Sequence, residues 1–114
     1  MDKPLSLSVQ EPWLELIETG RKVVEGRAGR TGQFDHWIGR TVRFYSRDRI
    51  VDVRVIDIVY YATLYDYLDK EGWQNAAPHL LSRDQTIDAY HKFYTDRQIA
   101  QRGGMCAIRI ELVH

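Results

Sequence analysis

Residues 8–27, Ser8-Val9-Gln10-Glu11-Pro12-Trp13-Leu14-Glu15-Leu16-Ile17-Glu18-Thr19-Gly20-Arg21-Lys22-Val23-Val24-Glu25-Gly26-Arg27, read as strand end, helix and second strand. Just upstream, Leu5-Ser6-Leu7-Ser8-Val9 alternates apolar and polar residues, the period of a half-buried strand. Pro12 suits a first helical position and Gly20 the end of a helix. Between them Trp13, Leu14 and Ile17 share one helical face. Lys22 to Arg27 is short and β-branched enough for a second strand. In a regular strand Glu25 and Arg27 point one way and Lys22 the other. Bringing all three to one place requires the chain to turn near Gly20.

Downstream, Ala28 to Gly39 carries Gly29, Gly32 and Gly39 and reads as a loop. Val42 and Phe44 alternate with Thr41, Arg43 and Tyr45 in a strand. From Ile50 to Tyr61, Val51, Val53 and Val55 share one face, whereas Ile56, Ile58 and Tyr60 continue on the other parity. A one-residue slip near Val55 and Ile56 marks a β-bulge, which lets a sheet bend toward a barrel. Thr63-Leu64-Tyr65-Asp66 and Ser82-Arg83-Asp84-Gln85 read as capping boxes that start helices, the first ending at Gly72. Ile87, Tyr90 and Tyr94 fall on one stripe of the second, with Phe93 beside them. Thr95 and Asp96 cap a last short turn before Gly103-Gly104. Cys106, Ile108, Ile110 and Leu112 alternate in a closing strand. This order predicts an α+β fold: a small mixed β-barrel of five or six strands flanked by three or four short helices. The first and last strands are free to pair centrally.

At 114 residues the chain suits one domain, residues 1–114, large enough to fold without a disulfide or metal. Cys106 is the single cysteine, which excludes an intrachain disulfide. It shares the inward parity of its strand and reads as a buried small hydrophobe. His36, His79, His91 and His114 lie far apart without metal-ligand spacing. No metal and no cofactor is expected. The longest apolar run, Ile58 to Ala62, is far short of a membrane span, and the Met1-Asp2-Lys3-Pro4 opening has no secretory apolar core. The expectation is a soluble cytoplasmic protein of open oligomeric state.

Sixteen cations balance sixteen anions overall, which argues against a polybasic tail protein, but the distribution is skewed. From Arg21 to Arg49 eight cations face three anions, and from Ile50 to Gln101 eight anions face five cations. Arginine outnumbers lysine twelve to four, and its planar fork suits phosphates and bases. The skew either marks a basic rim or dissolves into an interleaved surface on folding.

Gly20, Lys22, Glu25 and Arg27 fit a Gly-x-Lys-x-x-Glu-x-Arg pattern behind a strand and a short helix. Trp37-Ile38-Gly39 precedes Thr41-Val42-Arg43-Phe44-Tyr45-Ser46, a helical segment runs from Asp84 to Tyr94, and a strand follows Gly103-Gly104. In these features the chain resembles ASCH domains, the activating-signal-cointegrator homology branch of the PUA-like superfamily, over nearly its whole length. Arg40 departs from the pattern, since many relatives carry an acidic residue after the glycine. The resemblance implies a small β-barrel with a cleft beside the first helix, and RNA or nucleotide binding as its task.

The expected ligand site comprises Lys22, Glu25 and Arg27 with Arg21 beside them, and Trp13, Tyr45 or Trp73 as stacking faces. The cations would hold a phosphate or carbonyl oxygen, and Glu25 would accept from an exocyclic amino group. The competing reading is a structural Glu25–Arg27 or Glu25–Lys22 ion pair at the barrel rim. Trp13 also fits core packing, as do Tyr60 and Tyr67, while Tyr61 and Tyr65 are open. Trp73 reads as exposed after the Gly72 stop, and His91 as a surface or helix-packing residue.

Three functions follow. The first is RNA or modified-nucleoside binding through a polar pocket beside the first helix. The second is hydrolysis, which the resemblance implies for acylated cytidine or for RNA. Lys22 stands at the amidohydrolase lysine, and a Lys22–Glu25 pair acting on a water is the catalytic candidate. The motif supplies no obvious carboxylate cluster for the ribonuclease chemistry. Glu25 stands where the amidohydrolase scheme has a nucleophilic threonine; Thr19 and Thr31 are near in sequence, and Glu71 is the distant carboxylate candidate. The third is a protein-interaction module using Asp66, Asp69, Glu71, Asp84 and Asp88.

Overall fold

The computed structural model describes residues 4–113, so Met1 to Lys3 and His114 lie outside the described residues. Five strands form one sheet in the order β1-β3-β4-β5-β2: β1 (Leu5–Ser8), β2 (Val24–Ala28), β3 (Thr41–Tyr45), β4 (Ile50–Tyr61) and β5 (Met105–Leu112). Only β1 and β3 pair in parallel. The expected central pairing of first and last strands is corrected: β1 lies at an edge beside β3, and β5 sits between β4 and β2. Hence β1 and β2 are the two free edges of a curled half-barrel.

The curl has a visible origin in β4. Register slips between Val55 and Asp57, and Ile56 at the slip is exposed. Beyond the bulge Ile58 and Tyr60 return to the apolar group already occupied by Val51, Val53 and Val55. That concave group also takes Cys106, Ile108 and Ile110 of β5 and is plugged by Leu14 and Ile17 of α1 (Trp13–Glu18). Cys106 is fully buried there, and burial pushes its thiol up to about 11, as its strand parity suggested.

The convex face buries Val24, Ala28, Met105 and Ala107 under α2 (Leu64–Glu71), α3 (Trp73–Ala76), α4 (Arg83–His91) and α5 (Asp96–Arg102). Side-chain caps start α2, α4 and α5: Thr63, Ser82 and Thr95 accept from the backbones of Asp66, Gln85 and Gln98. Each relieves an otherwise unpaired amide, worth about 1 kcal/mol. Gly72 and Gly103 end α2 and α5 at φ values of 87° and 101°, a region that favours glycine. Helix α3 was not expected. It makes Trp73 half-buried, packed on the convex core rather than exposed.

Tyr67 is fully buried, and its hydroxyl lies 2.8 Å from that of Tyr90. Several acidic helix residues are turned to partners within the chain: Asp69 accepts from Arg83, and Glu71 accepts from Arg109 and Tyr61. The basic run is partly neutralised as well, since Arg43 faces Asp52 and Arg49 faces Glu11 and Glu18. No described helix is long and apolar enough to cross a membrane.

Candidate ligand-binding site

Backbone alternation explains how the polar residues meet. The Ile110 amide donates to the Val23 carbonyl, and Gly29 donates to Gly104, so odd positions of β2 turn their peptide groups toward β5. Even positions face the free edge, because peptide groups alternate sides along a strand. There the Val24 carbonyl accepts from Lys22 Nζ at 2.6 Å. Lys22 precedes the strand rather than belonging to it. The chain turns after Gly20 (φ 79°), and the Arg21 and Lys22 amides both donate to the Leu16 carbonyl. This turn permits the convergence that strand periodicity alone forbids.

Glu25 pairs across β5 with Ile108, and Arg27 with Cys106, so both side chains enter the concave face. Glu25 Oε1 is 3.3 Å from Lys22 Nζ, and Oε2 accepts from Arg27 Nε and Nη2 at 3.0 and 2.9 Å. Lys22 is buried to 1% exposure and donates also to the Ala76 carbonyl at 2.7 Å. Its three hydrogens therefore face three acceptors. Burial is the main cause holding its amine below the usual lysine range, against the opposing pull of Glu25. Lys22 Nζ also lies 5.2 Å from the Trp13 ring. It stands behind Glu25 and Trp13, and its work in this geometry is to fix the carboxylate.

In front of that carboxylate is a cavity of about 250 Å³ in the seam between the free edges. Glu25 and Arg27 supply its charged surface; Trp13, Tyr90, Phe93 and Tyr94 supply aromatic walls; Ser8, Val9, Gln10 and Gly26 supply backbone edges. Pockets for drug-sized ligands run to about 300–1,000 Å³, so this volume suits a small ligand. Phe93 is 43% exposed at the wall. Trp13 meets His79 edge-on at 4.8 Å. His79 Nδ1 is buried with no protein partner among the described residues, and burial, followed by the charges of Lys22 and Arg21, holds its ring below the usual histidine range.

Of the residues expected from sequence, the structure gathers Trp13, Lys22, Glu25 and Arg27. Arg21 is exposed and reaches the Pro78 carbonyl at 3.5 Å; Tyr45 is exposed on β3; Trp73 packs under the helices. None of these three lines the cavity. Thr19 donates to the Leu16 carbonyl and Thr31 is exposed in the loop, so neither reaches Glu25. Sequence reading missed Tyr90, Phe93, Tyr94 and Gln10 as cavity residues. The aromatic cluster at the end of α4 and in the turn after it was the available signal, but its distance along the chain hid its meeting with Trp13. Among the described residues no group of three His, Cys, Asp or Glu could hold a metal ion.

The ASCH domain family matches residues 7–114. The chain belongs to the ASCH domain family. This is a PUA-like fold family associated with RNA binding. Among solved structures, the hypothetical protein PH0355 is similar with a TM-score of 0.78 and 27% identity, covering 97% of this chain and 100% of its own. Protein PF0455 from Pyrococcus furiosus is similar with a TM-score of 0.76 and 29% identity, covering 98% and 99%. A variant of ZmASCH from Zymomonas mobilis shares the fold at a TM-score of 0.60 and 17% identity, over 93% of this chain and 66% of that one. No curated protein matches the sequence. The ASCH assignment fits the seam geometry: the Gly-x-Lys-x-x-Glu-x-Arg residues build the turn, the buried cation and the two charged groups at the cavity surface.

Proposed function

We propose that this ASCH domain binds RNA or a modified nucleoside by taking a base into the seam cavity. The observation that carries the reading is the aromatic enclosure of a polar pair: Trp13, Tyr90, Phe93 and Tyr94 surround Glu25 and Arg27. Aromatic rings accept the face of any base at about 1–3 kcal/mol per base. Glu25, held rigid by Lys22 and Arg27, offers an acceptor to an exocyclic amino group. Arg27 Nη1 has no hydrogen-bond partner among the described residues and is the donor for a base carbonyl.

The hydrolytic alternative asks for an available amine at Lys22, whose hydrogens are all directed at protein acceptors. Binding is therefore favoured over catalysis.

Nuclear magnetic resonance titration with nucleosides and short single-stranded RNA tests the reading. Shift changes are expected at Gln10, Trp13, Gly26 and Phe93. Phe93→Ser, at an exposed wall position, is expected to weaken binding by about 1–3 kcal/mol without unfolding the protein. Shifts confined to the convex helices, or a Phe93→Ser variant binding like the parent, would remove the cavity from the proposal.

A further inference from the structure

Two exposed arginines stand at the C-terminal end of α5, one of them against the Tyr94 wall of the cavity. Arg102, in the last turn of α5, places its guanidinium 5.2 Å from the centre of the Tyr94 ring. Arg30 abuts the same helix end: a Cβ added to Gly103 would lie 2.8 Å from the Arg30 Cα. The Arg30 backbone is pinned at both ends, its amide donating to Gln33 Oε1 and its carbonyl accepting from the Gln33 amide and Cys106 Sγ. Neither arginine has a carboxylate partner among the described residues. Elsewhere Arg43, Arg49, Arg54, Arg83 and Arg109 each face one. Asp35, on the loop after Arg30, is occupied by the Tyr60 hydroxyl.

We infer that the ligand is a phosphate-bearing nucleotide, and that Arg30 and Arg102 hold its phosphate where the cavity opens past Tyr94. This rests on the base-binding reading and extends it. A base among Trp13, Tyr90 and Phe93 leaves its sugar at the mouth; the Arg102 guanidinium lies against the Tyr94 wall, and the Arg30 backbone packs on the end of the same helix. Cation–π attraction to Tyr94 restrains the Arg102 guanidinium, which lowers the entropy lost when it grips an anion. Arg27 then serves the base and the outer pair serves the phosphate. The shared chemistry is a nucleoside phosphate, supplied either as a free nucleotide or as one residue of a strand.

The test measures affinity for cytidine, uridine, adenosine and guanosine, their 5′-monophosphates, and a short single-stranded RNA. The proteins are the parent, Arg30→Gln, Arg102→Gln, the double variant and the charge-matched control Arg97→Gln. We expect a monophosphate or the RNA to bind at least about tenfold tighter than the nucleoside. That preference should be lost in the double variant and kept in Arg97→Gln. For RNA, removing the contact should flatten the salt slope by about 0.7. A preference seen with monophosphates identifies a free nucleotide as sufficient; one seen only with RNA identifies a strand. Equal affinity for nucleoside and phosphate, with Phe93→Ser still weakening both, would overturn the phosphate assignment while leaving the base cavity intact. No binding by the parent to any probe would overturn both.

Discussion

Arg27 Nη2 donates to the Ser8 carbonyl at 2.6 Å and so joins the two free edges of the sheet, β2 to β1. The same guanidinium holds Glu25. One side chain thus closes the half-barrel seam and orients the carboxylate beside the cavity. Arg27→Lys keeps the charge but replaces a fork by a single ammonium, which cannot reproduce both sets of bonds. A loss of about 1–3 kcal/mol in stability is expected, with faster hydrogen exchange along β1. Urea unfolding and exchange rates measure both; unchanged exchange at Val9 would show that the seam closes without this contact.

Glu25→Ala should be more damaging. It strands the Lys22 ammonium, buried at 1% exposure, without its counter-charge. Breaking such a pair from one side costs about 3–5 kcal/mol. Lys22→Met combined with Glu25→Ala removes the stranded charge and should recover part of the loss. Denaturation midpoints of the two variants decide it, and a double variant no better than the single one contradicts the assignment of Lys22 as a buried cation.

Much of this was readable in the chain and some was not. The bulge near Val55 and Ile56, the caps at Thr63, Ser82 and Thr95, and the inward parity of Cys106 are local signals, because each is written within a few neighbouring residues. The turn after Gly20 is local too, and the need for it could be stated from periodicity. What periodicity cannot contain is which strands become neighbours: β1 chose the β3 edge, and that choice created the seam. The cavity combines Trp13 with Phe93 and Tyr94, which only the docking of α4 and the turn after it can bring together. Trp73 was misread because a four-residue helix carries too little pattern to announce itself.

Gly26→Ala places a methyl group 2.5 Å from the Tyr67 hydroxyl, inside the contact between β2 and α2. Overpacking of this kind costs about 1–3 kcal/mol. Because Gly26 also lines the cavity, nucleoside affinity should fall together with stability. Thermal unfolding and a binding titration on the same sample test it; lowered stability with intact affinity would separate the wall from the ligand.

Alkaline pH should unfold the protein through its phenols. Burial first, then hydrogen bonds to Asp35 and Glu71, pushes Tyr60 and Tyr61 each up to about 12 from the ordinary 10.0. Burial likewise raises Tyr67 and Tyr90. The folded state holds these protons more tightly than the unfolded chain. Their stabilisation is complete below pH 10.0 and is lost as pH climbs toward about 12. Tyrosinate absorbance should therefore rise late and together with loss of helical circular dichroism. Early ionisation with the fold intact would refute it.

Glu71→Gln separates structure from ligand recognition. Its carboxylate takes two hydrogen bonds from Arg109 at 2.9 and 2.8 Å and lies outside the seam cavity. Stability should drop, by about 1–3 kcal/mol for charge-assisted bonds, while nucleoside affinity stays within experimental scatter. A matched fall in both would draw Glu71 into the binding chemistry.

Tyr90 belongs to two compartments at once: its ring walls the seam, and its hydroxyl meets Tyr67 inside the helical layer. The partition between them is a glycine thick, since Gly26 lies against Tyr67 on one side and lines the hollow on the other. Tyr67 belongs to α2, so a shift of the Tyr90 ring alters the surroundings of a phenol on that helix, and a fluorophore placed on α2 tests whether filling the hollow is felt there.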